Sequence, residues 1–177
     1  MVLRMKEGGA IYFTYGGSVV DCSFVNCSAT GDGGAICFSY GGGSVGNVSG
    51  CSFVNCSSNS EGGAICFSYG GGSVGNVSGC SFVNCSSNGE GGAICFWGGG
   101  SGVVGNCSFV GCSANGEGGA ICFEGSGSGV VGNCSFVGCS ANGEGGSIYF
   151  SYGGGSYRPY ALAEYTPSDN SLVQALQ

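Results

Sequence analysis

Apolar and polar positions alternate along this chain in short bursts, and the bursts recur. One phrase, (Glu/Asp)-Gly-Gly-(Ala/Ser)-Ile-(Cys/Tyr)-Phe, begins at Glu7, Asp32, Glu61, Glu90, Glu117 and Glu144. A second, Cys-Ser-Phe-Val-(Asn/Gly)-Cys-Ser, begins at Cys22, Cys51, Cys80, Cys107 and Cys134. Successive copies of the first phrase are 25, 29, 29, 27 and 27 residues apart. From the opening Cys of the second phrase to the Phe that closes the next first phrase the span is always 17 residues, as in 22–38 and 51–67. The Gly-rich segment between these blocks takes 8, 12, 12, 10 and 10 residues and absorbs all the variation. A block of fixed length beside an elastic one reads as a packed wall with a loop on one side, the grammar of a solenoid.

The blocks predict strands. Between Glu7 and Ser156 there is no Leu, Met, Gln, Lys or Arg, so most good helix formers are missing. Phe, Val, Ile, Tyr, Cys and Ser fill short runs bounded by Gly, Asn and Ser, and the series Ile36, Phe38, Tyr40 keeps a period of two. Strands this short bury nothing alone, but stacked coils do. The expectation is an all-β, single-stranded parallel β-helix (a β-solenoid) of about five to six coils with 25–29 residues per coil. At one strand spacing per coil it forms a rod of roughly 25–30 Å. Residues 1–6 are a lead-in, 7–156 the solenoid, and 157–177 a tail of different composition that serves as a cap or an inter-subunit strand.

Composition narrows the function. Of 177 residues 42 are Gly and only 2 Pro, a balance that borders on low complexity, yet 42% are hydrophobic and only 7% charged, the reverse of a disordered chain. Three basic residues against ten acidic ones leave a net charge of −7, which repels a phosphate backbone, so nucleic acid is not a partner. Without His, mechanisms built on a histidine base or ligand are gone. The repeat region holds no base beyond its own acidic column and the singletons Asp21 and Glu124, so no catalytic residue is expected and the chain is read as a non-enzyme. No apolar run is long enough to span a membrane as a helix. The opening residues show no secretory signal; a removed leader, another export route, or a larger parent chain would each account for that.

The GGAI tetrads beginning at Gly8, Gly33, Gly62, Gly91 and Gly118, with Ser147 replacing Ala in the last copy, alternate with phrases centred on Phe24, Phe53, Phe82, Phe109 and Phe136. Over residues 7–150 this resembles the repeat of the chlamydial polymorphic membrane proteins, marked by GGA[ILV] and FxxN. The chain departs from that pattern at the Asn position, which holds Cys27, Cys56, Cys85, Cys112 and Cys139. The resemblance implies a right-handed β-helix at a cell surface or outside the cell, acting in adhesion and self-association. The membrane β-barrel that ends such proteins has no counterpart here.

In a solenoid each repeated residue becomes a ladder. The fourteen Cys fall into three: Cys22, Cys51, Cys80, Cys107 and Cys134; Cys27, Cys56, Cys85, Cys112 and Cys139; and Cys37, Cys66, Cys95 and Cys122, with Tyr12 and Tyr149 in the end coils. Three readings are open: buried small hydrophobes, disulfides of the Cys22–Cys27 kind or between neighbours in a column, and metal ligands in the C-x₄-C spacing. The acidic ladder Glu7, Asp32, Glu61, Glu90, Glu117 and Glu144 places like charges one strand apart, which calls for a surface position. It serves either solubility or a cation stripe, with Ca²⁺ as the candidate cofactor. Tyr15, Tyr40, Tyr69 and Tyr152, with Trp97 offset, form an aromatic column that packs on the wall or contacts sugars. Of seven N-x-S sequons, Asn47 and Asn76 in the Gly-rich segments are the expected acceptors should the chain be glycosylated.

The functional expectation is an extracellular structural solenoid. Its two ends are rows of unpaired strand edges, and its first and last coils carry nearly the same phrase, GGAIYF and GGSIYF. Ends so alike stack head to tail into a fibre or surface layer. The alternative is a monomeric cell-surface adhesin that binds a host or glycan ligand through its aromatic or loop face.

Overall fold

The computed structural model describes residues 6–69, 73–125, 128–151 and 173–175. The remainder of the tail 157–177, Tyr152 and the first five residues lie outside them. Among the described residues every regular element is a β-strand, and the strands form four parallel sheets. The chain is a β-solenoid of about five turns.

The first wall stacks Ile11–Phe13, Ile36–Tyr40, Ile65–Tyr69, Ile94–Gly98, Ile121–Glu124 and Ile148–Phe150, with Val173–Ala175 added at its end. The second stacks Gly17–Val20, Val45–Ser49, Val74–Ser78, Ser101–Gly105 and Gly129–Gly132. The third repeats Ser-Phe-Val, from Ser23–Val25 to Ser135–Val137. The fourth is a two-residue strip from Ser28–Ala29 to Ser140–Ala141. Register is strict: Ile11, Ile36, Ile65, Ile94, Ile121 and Ile148 are successive partners, so the coil lengths are the sequence steps of 25, 29, 29, 27 and 27 residues.

One expectation needs correction. The elastic Gly-rich segment is not only loop, because its second half supplies the whole second wall. The slack is confined to the connection between the first two walls, residues 41–44 in the second coil and 99–100 in the fourth. Its VGNVS and SGVVG strands alternate buried and exposed positions, with Gly46, Val48, Gly102 and Val104 inward. The inward Gly has a steric reason. A Cβ on Gly102 would stand 2.6 Å from the Phe96 and Phe123 rings, and one on Gly129 2.6 Å from Phe123, so glycine here makes room for the aromatic ladder opposite.

All 11 Phe sit in two ladders. Six belong to the first wall and five to the third, with ring centroids 4.6–4.9 Å apart and ring planes within 6°. The strand spacing imposes this offset-stacked geometry, and each interior ring is sandwiched by its own kind. Columns of Ile, Val and Ala complete the core, with Ile36, Ile65, Phe38, Phe53, Phe67 and Phe82 all fully buried. Burying such side chains contributes about 2–3 kcal/mol each.

The bends between walls are left-handed single residues. The first Gly of each GGA phrase has φ between +57° and +66°. The residue before each Cys of the second phrase does the same with Asp21, Asn26, Asn55, Asn84, Asn106 and Asn133 at φ of +51° to +55°, and with Gly50, Gly79, Gly111 and Gly138 in the equivalent places. Asn, Asp and Gly are the residues that tolerate this region. Their interchange at aligned positions was the sequence signal for a corner, and the repeat reading passed over it.

Candidate functional site

The three cysteine columns divide between two environments. From Cys51 and Cys56 onward the columns beginning at Cys22 and Cys27 line the main core beside the Phe and Val ladders, while Cys22 itself is exposed at the N-terminal end. Their thiols tie one coil to the previous one. Cys51 Sγ donates to Ser49 O at 3.2 Å and also approaches Val19 O at 3.7 Å, while accepting from Cys22 N at 3.4 Å. Cys80 repeats the pattern one coil on. Burial pushes the Cys51 thiol up from its ordinary value, which keeps it protonated and able to donate. All fourteen cysteines are free thiols in the structure.

The third column lies on the opposite face of the first wall. Strand alternation sends Ile and Phe of each ICF triplet inward and the Cys between them outward. Cys37, Cys66, Cys95 and Cys122 are nevertheless completely buried, and they form a separate cluster closed at one end by Tyr149. Hydrogen bonding to Cys66 and burial together hold the Cys37 thiol well above the ordinary range.

Part of the cover over this column is the acidic ladder. The expectation that these carboxylates stand free on the surface is corrected here: Glu7, Asp32, Glu61, Glu90 and Glu117 are half-buried, and only Glu144 is exposed. Each acidic residue stands next to a left-handed Gly corner at the start of the first wall, and the Glu90 carboxylate reaches Cys122 on the outer face. The carboxylates are therefore desolvated and close to one another. Ser60 Oγ donates to Glu61 Oε2, and Glu61 N donates to Asp32 Oδ1 at 3.4 Å. Burial, then the neighbouring Asp32, pushes the Glu61 carboxyl up to about 7. Burial and a hydrogen bond to Glu124 push Glu90 up to about 8.

At the fourth coil the two columns meet. Cys122 Sγ donates to Glu90 Oε2 at 3.4 Å. The ligand atoms of Glu90, Cys95 and Cys122 all lie within 4.8 Å of one another. A hydrogen bond with Cys95 pulls the Cys122 thiol down, but burial and the Glu90 charge prevail and leave it raised. Treating thiols and carboxylates as separate ladders missed this convergence. The E-G-G-A-I-C spacing, with a bend-forming Gly next to the acid, was the available signal.

The remaining predicted residues are dispersed. Asn47 and Asn76 lie not in loops but in the strands Val45–Ser49 and Val74–Ser78, where they are direct partners. Asn76 Nδ2 donates to Asn47 Oδ1 at 2.9 Å, so an amide ladder occupies groups that a glycan would need. The sequons at Asn26, Asn55, Asn84, Asn106 and Asn133 are corner residues, and Asn55 Nδ2 reaches Asn26 Oδ1 at 3.3 Å. Of the aromatic column, Tyr15 and Trp97 stand 78% and 51% exposed rather than packed on the wall. Trp97 pairs with Ser68 and Glu124, one position out of register with the tyrosines.

Fold and site together define a parallel β-solenoid with a buried thiol column beneath a half-buried carboxylate ridge. Comparison of the chain with protein-family models, curated proteins and solved structures finds no match.

Proposed function

We propose that this chain is a non-enzymatic structural solenoid, displayed outside the cell or at its surface, that self-associates end to end into a fibre or layer. The observation that carries the reading is the N-terminal face. Ile11–Phe13, Gly17–Val20, Ser23–Val25 and Ser28–Ala29 are the terminal strands of their sheets, and among the described residues nothing pairs with their outer edges. Ile11 and Phe13 are only half-buried there, whereas Ile36 and Phe38, one coil further in, are fully buried. The face is thus a cross-section of the core, presenting unpaired backbone groups around apolar side chains, and it favours another coil of the same register.

The opposite end supports the same mode of growth. Val173–Ala175 pairs in parallel with Ile148–Phe150, placing Val173 opposite Ile148 and Ala175 opposite Phe150. A short apolar segment in wall register is therefore accepted at this edge, although here it comes from the same chain and acts as a cap. The similarity of the GGAIYF and GGSIYF phrases and the resemblance of the GGAI repeat to surface proteins favour homotypic stacking outside a cell. No helix among the described residues is long and apolar enough to cross a membrane.

Negative-stain microscopy with size-exclusion chromatography tests the proposal. The full chain is expected to give filaments or oligomers that grow with concentration, Phe13→Arg to give short particles, and removal of 157–177 to lengthen the filaments by uncapping the second edge. Monodisperse wild-type particles at all concentrations would overturn it. The adhesin alternative is favoured by exposed Tyr15 and Trp97, and predicts ligand binding that Trp97→Ala abolishes without a change in assembly state.

A further inference from the structure

The first wall carries a Cys or Tyr on its outer face in every coil, and two residues further along the same face carries a variable group. Register defines what each acidic residue meets. Around Asp32 the outer face offers Cys37, Cys66 and Ser68; around Glu61 it offers Cys66, Cys95 and Trp97. Around Glu117 it offers only one thiol, because Tyr149 replaces the next Cys. At Glu90 two thiols converge within reach of the carboxylate, and Glu124 stands on the same strand face where the neighbouring coils have Trp97 and Ser68.

We propose that Cys95, Cys122 and Glu90, with Glu124 as fourth ligand, form a binding site for one zinc ion. Three ligand atoms already gather within 4.8 Å, with the Cys122–Glu90 contact at 3.4 Å. Tetrahedral zinc with sulfur at ~2.3 Å and oxygen at ~2.1 Å sets its ligands ~3.5–3.8 Å apart, so closure from 4.8 Å needs a contraction of at most about 1.3 Å. Glu124 follows Cys122 by two residues on the same strand face and stands opposite Trp97 in register, which places it beside the cluster as the nearest further ligand. The two sulfurs are fully buried while both carboxylates are partly exposed, so the ion enters between the carboxylates. Two thiolates discriminate against Ca²⁺ and Mg²⁺, which take oxygen ligands. Cys66 is the register partner of Cys95 and adds a further buried sulfur beside the two ligands.

Binding replaces the S–H bonds of Cys95 and Cys122, the latter donated to Glu90, with metal–sulfur bonds and releases both thiol protons. The protons go to solvent, so affinity falls as pH falls. The test is titration of the reduced full-length chain with Zn²⁺ by calorimetry, and with Cd²⁺ by its thiolate charge-transfer absorbance. One equivalent is expected to bind. Cys122→Ser is expected to weaken binding at least ~100-fold through loss of a direct ligand. Glu124→Gln, at a partly exposed position that leaves the fold intact, is expected to weaken it ~10-fold or more. Cys22→Ser removes the exposed thiol and should leave stoichiometry and affinity unchanged. The absence of saturable binding, wild-type affinity in both Cys122→Ser and Glu124→Gln, or loss of binding in Cys22→Ser would each overturn the proposal.

Discussion

Cys66 and Phe67 are adjacent in the chain and both completely buried, yet they belong to different worlds. Phe67 points into the core, stacked at 4.8 Å on Phe38 and 4.7 Å on Phe96, with apolar columns around it. Cys66 points out of the core into a strip of thiols partly roofed by half-buried carboxylates. The inner face is dry and large-volume, and it holds the coils together through dispersion and burial. The outer face is small, polarizable and titratable. One β-strand thus separates the part of the molecule that sets stability from the part where chemistry is available.

The largest expected effect breaks the inner face. Phe67→Ala leaves a cavity between two rings that cannot collapse without shifting the coil register, and should cost about 3–5 kcal/mol. Cys66→Ala, one residue away on the outer face, removes a single sulfur and should cost about 1 kcal/mol. Urea unfolding of both variants checks the contrast through the midpoint at unchanged slope. Equal losses would show that the thiol strip is as much a core as the Phe ladder.

This division was only half legible in the sequence. The repeat lengths and apolar alternation gave the walls, because a period of two and a fixed 17-residue block leave little freedom in how coils superimpose. Phe24 and Phe38 face the core in the structure, on positions that keep that period of two. The second wall was not legible: VGNVS carries Gly and Asn, poor strand formers, and is held as a strand by ladder pairing with the coils on either side, while Gly102 and Gly129 leave room for the Phe rings. The half-burial of Glu61 and Glu90 was hidden for another reason. Like-charge repulsion argues for exposure, but each stands half-buried next to a left-handed Gly corner, and the carboxyls respond by holding their protons.

That response gives a pH dependence that separates the faces further. In the folded chain Glu61 titrates near 7 and Glu90 near 8, against an ordinary value of 4.5. Between these values the folded state binds more protons than the unfolded one, so stability falls as pH rises. It is full below about pH 4.5 and is lost as pH climbs through 7 to 8. Thermal unfolding of the metal-free chain should therefore give a lower midpoint at the alkaline end of this window. Because both groups are partly solvated, added salt should shrink the difference. Glu61→Gln with Glu90→Gln should flatten it, while Phe67→Ala should lower the curve without changing its slope. An unchanged slope in the double Gln variant would place the titration elsewhere.

The smallest expected effect is at the corners, which belong to neither face. Asn84 bends the chain at φ +51°, in the column that Gly111 and Gly138 continue with φ of +63° and +60°. If the corner asks only for a left-handed backbone, Asn84→Gly should change stability by no more than about 0.5 kcal/mol, the gain in ease of φ offsetting the added freedom of the unfolded chain. Asn84→Ala, with a Cβ and no polar group to support the conformation, should cost about 1–2 kcal/mol. A large loss in the Gly variant would instead mean that the Asn amides carry the corner through side-chain ladders, as Asn55 does with Asn26 at 3.3 Å. The natural interchange of Asn and Gly along this column argues for the backbone. It also explains how the rod keeps its section while its corner residues vary: the fold asks for an angle at that point, and two unrelated side chains meet it.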